Sequence, residues 1–315
     1  MLRRLLLVEW SGLLAAILIG GAVLAVLAPN FLTEFNIYVM LRSFCVALLV
    51  GFAQMVTLGV GQMNIAVGAL GGLVAISLGG MLEVVGVPLI LAVPIALLIG
   101  AFGGLINGVL TVRTGINGFI ITLATASAFT GINLGITESI PFYQMPPALV
   151  AFGSGRVGAF PYLLIAPVVV AVLLGIFFTR TVPGRQLLAY GGNATAARLS
   201  GIPESRVIVL AHVLSGTLAA AAAVLAVAQL GSAQPTIGAD WLLLSFAAPI
   251  IGGAALTGGY ISVLGTMFAV VLIALIENGM VLAAVDPYWV QFLLGALILA
   301  AVWLNRWRAV RTGTG

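Results

Sequence analysis

Lysine is absent from this chain of 315 residues; all twelve basic side chains are arginine, and His212 and Cys45 are single occurrences. Each gap excludes a chemistry. A phosphate-binding P-loop needs Gly-Lys-Ser/Thr and a Schiff base needs a lysine amine, so the chain does not itself hydrolyse ATP through such a loop. One cysteine inside an apolar run forms no intrachain disulfide and makes a poor redox centre. No cluster of Cys, His and carboxylates has metal-ligand spacing, and no Ser/His/Asp arrangement is evident. Gly191-Gly192 is no phosphate loop, because no strand precedes it and no lysine comes after it. Charge is scarce altogether: 6% of residues are charged, against about 25% in soluble domains.

What is there is apolar. Hydrophobic residues make up 62% of the chain and its mean hydropathy is +1.26, values of a polytopic membrane protein. Segments close to the length of a membrane-crossing helix recur at 13–28, 37–58, 64–80, 88–112, 117–137, 161–179, 207–230, 241–255, 260–283 and 288–304. The first also fits a signal peptide, with Val26-Leu27-Ala28 as a cleavage site; an uncleaved span is favoured because the polypeptide after it is itself membrane-embedded. The expected fold is thus all-α, with about ten transmembrane helices. Arg42 is expected to snorkel from the second span to the headgroups.

Arginine placement tests this count. With the N-terminus cytoplasmic, inside segments hold Arg3, Arg4, Arg113, Arg180, Arg185, Arg198, Arg206, Arg306, Arg308 and Arg311. Outside breaks hold Arg156 together with Glu34, Glu83, Glu138, Asp240 and Asp286. That asymmetry obeys the positive-inside rule and puts both termini in the cytoplasm. The net charge of +4 therefore reports topology, and no nucleic-acid partner is implied.

The longest polar run is GRQLLAYGGNATAARLSGIPESR, 184–206. Asn193 is a good N-cap, 194–200 is a compact Ala-rich helical run, Gly201 suits a left-handed C′ position and Pro203 forbids continuation. Arg198 sits in the last turn, where the helix dipole favours a cation. A free-standing helix of two turns is marginal in water. It is either a surface connector or a segment on which something docks.

Polar groups within or at the ends of spans are Gln54, Gln62, Asn64, Asn107, Glu277 and Asn278. Singly, each is satisfied by a hydrogen bond between helices. As a set, beside the glycine-broken stretch GVGQMNIAVGALGG (59–72), they suggest a hydrated path for a polar solute through broken or re-entrant segments. Glu277 is the one carboxylate well inside a span, which leaves open an ion-coupled secondary carrier. His212, near the inner end of its span, reads as a packed interfacial residue. Asn107-Gly108 and Asn278-Gly279 hint at an internal repeat.

The chain resembles the permease subunits of ribose-type ABC importers. TVPGRQLLAYGGNATAARLSGI (181–202) is similar to the family's cytoplasmic coupling segment, and SAQPTIGADWLLLSFAAPIIGGAALTGG (232–259) to its next block. GQMNIAVGA (61–69) and NGFIITLAT (117–125), with Tyr288, Gln291 and Gly295, fit further blocks. The resemblance implies a single permease domain over 1–315 with its coupling segment at about 181–206. It implies ATPase coupling through Gly191, Gly192, Asn193, Ala196, Ala197, Arg198, Leu199 and Gly201, with Ala194, Ala196 and Ala197 permitting close approach and Leu199 and Ile202 as an apolar anchor. A substrate path would involve Gln62, Asn64, Asn107, Phe119, Glu277 and Asn278. The partners implied are a second, identical or homologous permease, cytosolic ATPase subunits that bind ATP and Mg, and an external solute-binding protein. The permease itself would carry no cofactor or metal. Asn64 stands where the family often has Asp, Glu277 where it often has Asn, and Thr130 where it often has Arg. These departures bear on the solute, which is a simple sugar or related polar molecule, with nucleosides and branched-chain amino acids as cargoes of related permeases.

Overall fold

Apolar stretches of this length satisfy their backbone within themselves and fold as helices. The computed structural model describes residues 11–286 and, beyond them, Trp289, Gln291, Phe292, Gly295, Ala296 and Leu299. In chain order the helices are α1 (Ser11–Leu27), α2 (Glu34–Gly59), α3 (Val67–Glu83), α4 (Leu89–Thr114), α5 (Gly118–Thr137), α6 (Pro147–Ser154), α7 (Ile165–Arg180), α8 (Val182–Gly192), α9 (Ala194–Leu199), α10 (Glu204–Leu230), α11 (Trp241–Ile251) and α12 (Val263–Leu282). A two-stranded hairpin, Arg156–Val157 with Phe160–Pro161, lies between α6 and α7.

Six of these helices are long and apolar enough to cross a membrane: α2, α4, α5, α7 with the turn before it, α10 and α12. Three further apolar helices, α1, α3 and α11, are shorter. Nine of the ten expected spans therefore correspond to helices, and of the tenth, 288–304, only six residues are described. The eighth departs most. Expected over 241–255, it ends at Ile251 and rises only about 16 Å at 1.5 Å per residue. Pro249 and the glycines at 252 and 253 stop it, and irregular chain leads back to α12. The break at 138–160, expected to be loop, contains α6 and the hairpin.

α10 is the centre of the bundle, packed on α4, α2 and α3. It meets α4 backbone to backbone. Gly100, Gly104 and Gly108 recur every four residues on α4, and a Cβ on any of them would collide with α10 main chain at Gly216, His212 or Val209. Small residues at that spacing let apolar helices approach closely. The buried alanines Ala219, Ala220, Ala222 and Ala223 of α10 serve the same end.

The bundle has two distinct ends. One gathers Glu34, Glu83, Arg156, Asn278 and the bridge between Phe142 and Ala233. The opposite end gathers Gly59 to Gln62, 111–117, α8, α9 and the start of α10. Arg42 does not snorkel outward. It is half-buried, donates to the Gln229 carbonyl in the last turn of α10 and lies 5.5 Å from the Tyr38 ring centroid, because the helix C-terminus offers an acceptor inside the bundle.

Candidate functional site

The polar run folds as two helices rather than one. Thr181 caps α8, its hydroxyl accepting from Gly184 N–H at 3.1 Å. Gly184, Leu187 and Tyr190 face the bundle and are buried. Gly191 and Gly192 close the last turn of α8 instead of breaking the chain. Asn193 then ends α8 and begins α9, accepting from Ala196 N–H at 2.9 Å. α9 stops as expected: Gly201 has φ +79°, and the N–H groups of Gly201 and Ile202 donate to Arg198 O and Ala197 O, both at 3.0 Å. These two bonds form a Schellman closure.

α9 presents one face to its own chain. Ala197 is buried, so it is not free to receive a partner as its small size suggested, whereas Ala196, Arg198 and Leu199 are exposed. Ile202 is half-buried against the core. Leu199 is 86% exposed, an apolar side chain on the most polar part of the protein.

Tyr190 and Glu204, which motif reasoning passed over, tie the segment together. Tyr190, in α8, donates its hydroxyl to Glu204 Oε1 at 2.6 Å, and Arg198, in α9, pairs with Glu204 Oε2 at 3.2 Å. Burial and the Glu204 carboxylate push the Tyr190 phenol up to about 12, against the opposing effect of Arg198. Glu204 is the first residue of α10, so one carboxylate joins both short helices to the central one. It is also the single carboxylate between Glu138 and Asp240, which was its signal in the sequence.

A second tie is made of backbone. Gly259 N–H donates to Gly59 O at 3.0 Å, and Gly191 lies against both. A Cβ on Gly191 would overlap Gly59 O and come within 2.6 Å of Gly259 N. Gly258 and Gly259 have φ +93° and +84°. The end of α8, the end of α2 and the irregular chain before α12 thus meet without side chains between them.

The six residues expected along a solute path fall into separate places. Gln62 accepts from Gly118 N–H at 2.9 Å. Asn64 is buried, donating to Ser215 Oγ at 2.9 Å and accepting from Ala66 N–H at 2.9 Å. The Gln54 amide braces the same turn, its nitrogen 2.8 Å from Asn64 O and its oxygen 3.2 Å from Asn64 N. Asn107 is fully buried nearby, and its amide has no partner among the described residues. Phe119 is 41% exposed in the first turn of α5. Glu277 and Asn278 sit toward the other end. Asn278 makes a reciprocal amide pair with Asn36 at 2.9 and 2.7 Å, and Glu277 is half-buried. His212 is no interfacial residue: it is fully buried against the glycine row of α4, with neither ring nitrogen partnered among the described residues.

Comparison with known proteins places this architecture. A family model described as branched-chain amino acid transport system, permease component, matches residues 27–302. The autoinducer 2 import system permease of Photorhabdus laumondii subsp. laumondii is 33% identical, over 96% of this chain and 97% of its own. The ribose import permease of Bacillus subtilis is 35% identical over 90% and 88%. The D-allose transport system permease of Escherichia coli is 34% identical over 90% and 88%. No solved structure matches. Matched by the family model over most of its length, and by these relatives over 90% of it or more, the chain belongs to this family of transport-system permease components and is a multi-pass membrane permease subunit of an ABC importer.

Proposed function

We propose that this permease moves a simple sugar or sugar-like polar solute inward across the bacterial cytoplasmic membrane, driven by ATP hydrolysis in separate subunits docked on α8 and α9. Two permease chains, identical or homologous, enclose the path between them, and an external solute-binding protein delivers the cargo. The chain crosses the membrane about ten times with both ends cytoplasmic, as its arginines require. The names of its relatives, which import autoinducer 2, ribose and D-allose, favour a sugar-like cargo over a branched-chain amino acid. Glu277 gives no separate support to ion coupling, since an ABC permease takes its energy from its ATPase. Gln62, Asn64, Asn107, Phe119, Glu277 and Asn278 remain proposed path residues. Of these, Asn64 and Asn107 are buried within one chain and act through the walls, not by contact.

The observation that carries this proposal is Leu199. It stands almost fully exposed on a rigidly capped helix at the arginine-rich end, in a chain without lysine. A partner that supplies the ATP chemistry also supplies cover for it. Leu199→Ser touches no internal packing, so stability should stay within about 0.5 kcal/mol of wild type. ATPase subunits should bind about tenfold more weakly or worse, and ATP-dependent uptake should fall with them. Unchanged co-purification of the ATPase together with unchanged uptake would make α9 a mere connector.

A further inference from the structure

A cavity of about 540 Å3 opens at the arginine-rich end, between the bundle and the α8–α9 unit of one chain. Thr111 and Asn117 wall it on the bundle side, Tyr190 and Arg198 on the other, and Glu204 and Ser205 join the two. Gln62 lines it as well. One helical turn deeper than Thr111 on α4 comes Asn107. One turn deeper than the lining residue Ile208 on α10 comes His212. Both amide atoms of Asn107 and both ring nitrogens of His212 are buried without a partner among the described residues. A Cβ on Gly118 would overlap Gln62 Oε1 and lie 3.4 Å from His212 Nε2. The Gln62 amide, which lines the cavity, and the His212 imidazole therefore both lie beside Gly118. Asn107 and His212 do not line the cavity themselves; they stand one helical turn behind its wall.

The lining selects a ligand chemistry. Arg198 and Glu204 neutralise each other, so neither an anion nor a cation is demanded. No group of His, Cys and carboxylates among the described residues can hold a metal ion. What remains is a mixture of amide, hydroxyl and phenol groups beside the aliphatic Val112, Ile116 and Ile208, in a volume suited to a small molecule. Deeper along the same two helices, Gly104 packs directly on the His212 carbonyl. The cavity lies between the bundle and the α8–α9 unit. Its occupant would touch the bundle and the coupling helices at once.

We propose that this cavity binds a small neutral polyhydroxylated solute from the cytoplasmic side, and that its occupation clamps α8 and α9 to the bundle and slows import. The inference rests on the importer function proposed above: accumulated cargo, or a molecule like it, restrains its own uptake. Ligand affinity and transport are separable, so each can fail alone.

The test uses the permease–ATPase complex without binding protein, with D-ribose and D-allose as probes in equilibrium dialysis. At least one sugar should bind saturably at millimolar concentration. Ser205→Trp, which fills the mouth from an exposed position, should weaken binding by at least about tenfold, and the isosteric Thr111→Val should weaken it less. Ile116→Trp narrows the cavity from the opposite wall, outside the coupling segment, and should weaken binding likewise. In proteoliposomes holding ATP and complete with binding protein, initial uptake into sugar-free vesicles should be equal for wild type and Ile116→Trp. Preloading the bound sugar should slow the wild type several-fold and leave Ile116→Trp unslowed. Absence of saturable binding by both sugars, binding indifferent to both tryptophan variants, or equal slowing of wild type and Ile116→Trp would overturn the proposal. Loss of uptake by Ile116→Trp into sugar-free vesicles would place the cavity on the transport path and overturn it too. Wild-type vesicles that take up no solute would instead break the importer function, with the dialysis result still standing.

Discussion

The two ends of the bundle are fastened in opposite ways. At the arginine-rich end, Gly191, Gly59 and Gly259 bring three main chains into direct contact, and Glu204 locks two short helices to a long one. At the other end the ties run between side chains. Arg156 and Glu34 stand 3.7 Å apart and well exposed, Glu83 accepts from Gln144 N–H at 2.8 Å, and Asn36 pairs with Asn278. Backbone contact admits no adjustment, whereas exposed side-chain pairs yield at little cost. The arginine-rich end is built stiff, and the opposite end is built to give.

The sharpest way to break this contrast is Gly191→Ala. One methyl group would overlap Gly59 O, so the junction must spread, at about 1–3 kcal/mol or more. The melting temperature of the purified protein should fall and ATP-dependent uptake should approach background. An Ala variant that melts and transports like wild type would mean the junction is not stiff.

A middle-sized effect is expected at Tyr190. Its phenol is raised in the folded state to about 12 from an ordinary 10. The folded protein therefore holds this proton more tightly than the unfolded chain does, and the stability it contributes is full below pH 10 and lost as the pH rises toward 12. Tyr190→Phe should flatten that part of the stability-versus-pH curve. Identical curves for the two proteins from pH 9 to 12 would show that the Glu204 tie carries no weight.

The smallest effect should come from Arg156→Ala at the opposite end. The pair it forms with Glu34 is exposed and worth about 0–1 kcal/mol, and its loss should leave uptake unaltered. A large drop in melting temperature there would erase the difference between the ends.

Much of this was legible in the chain. Apolar runs marked nine helices, because a buried helix needs little more than length and hydrophobicity. Asn193, Gly201 and Pro203 marked α9, because caps act locally. Helix α8 was hidden: its stretch reads as polar with two glycines, and it is helical because Gly184, Leu187 and Tyr190 bury against the bundle. The early end of α11 and the existence of α6 depend on tertiary surroundings in the same way. Among the polar residues, Gln62 lines the arginine-rich end and Asn64 and Asn107 are buried inside the bundle, but Glu277 and Asn278 belong to the far end. Their separation comes from helix direction, which no single residue carries. Glu204 was visible only as a lone negative charge among arginines, and its two partners come from the fold.

Asn193 has a mechanical consequence. It is at once the last residue of one helix and the first of the next, with φ −155° and ψ 97°, so no linker lies between α8 and α9. Two rods joined at a single point without slack make a crank. A partner that tilted the exposed short arm would load the joint directly, because Gly191, two residues before it, packs on Gly59 and Gly259. The glycine junction stands at the pivot, where a rotation has the least distance over which to be lost.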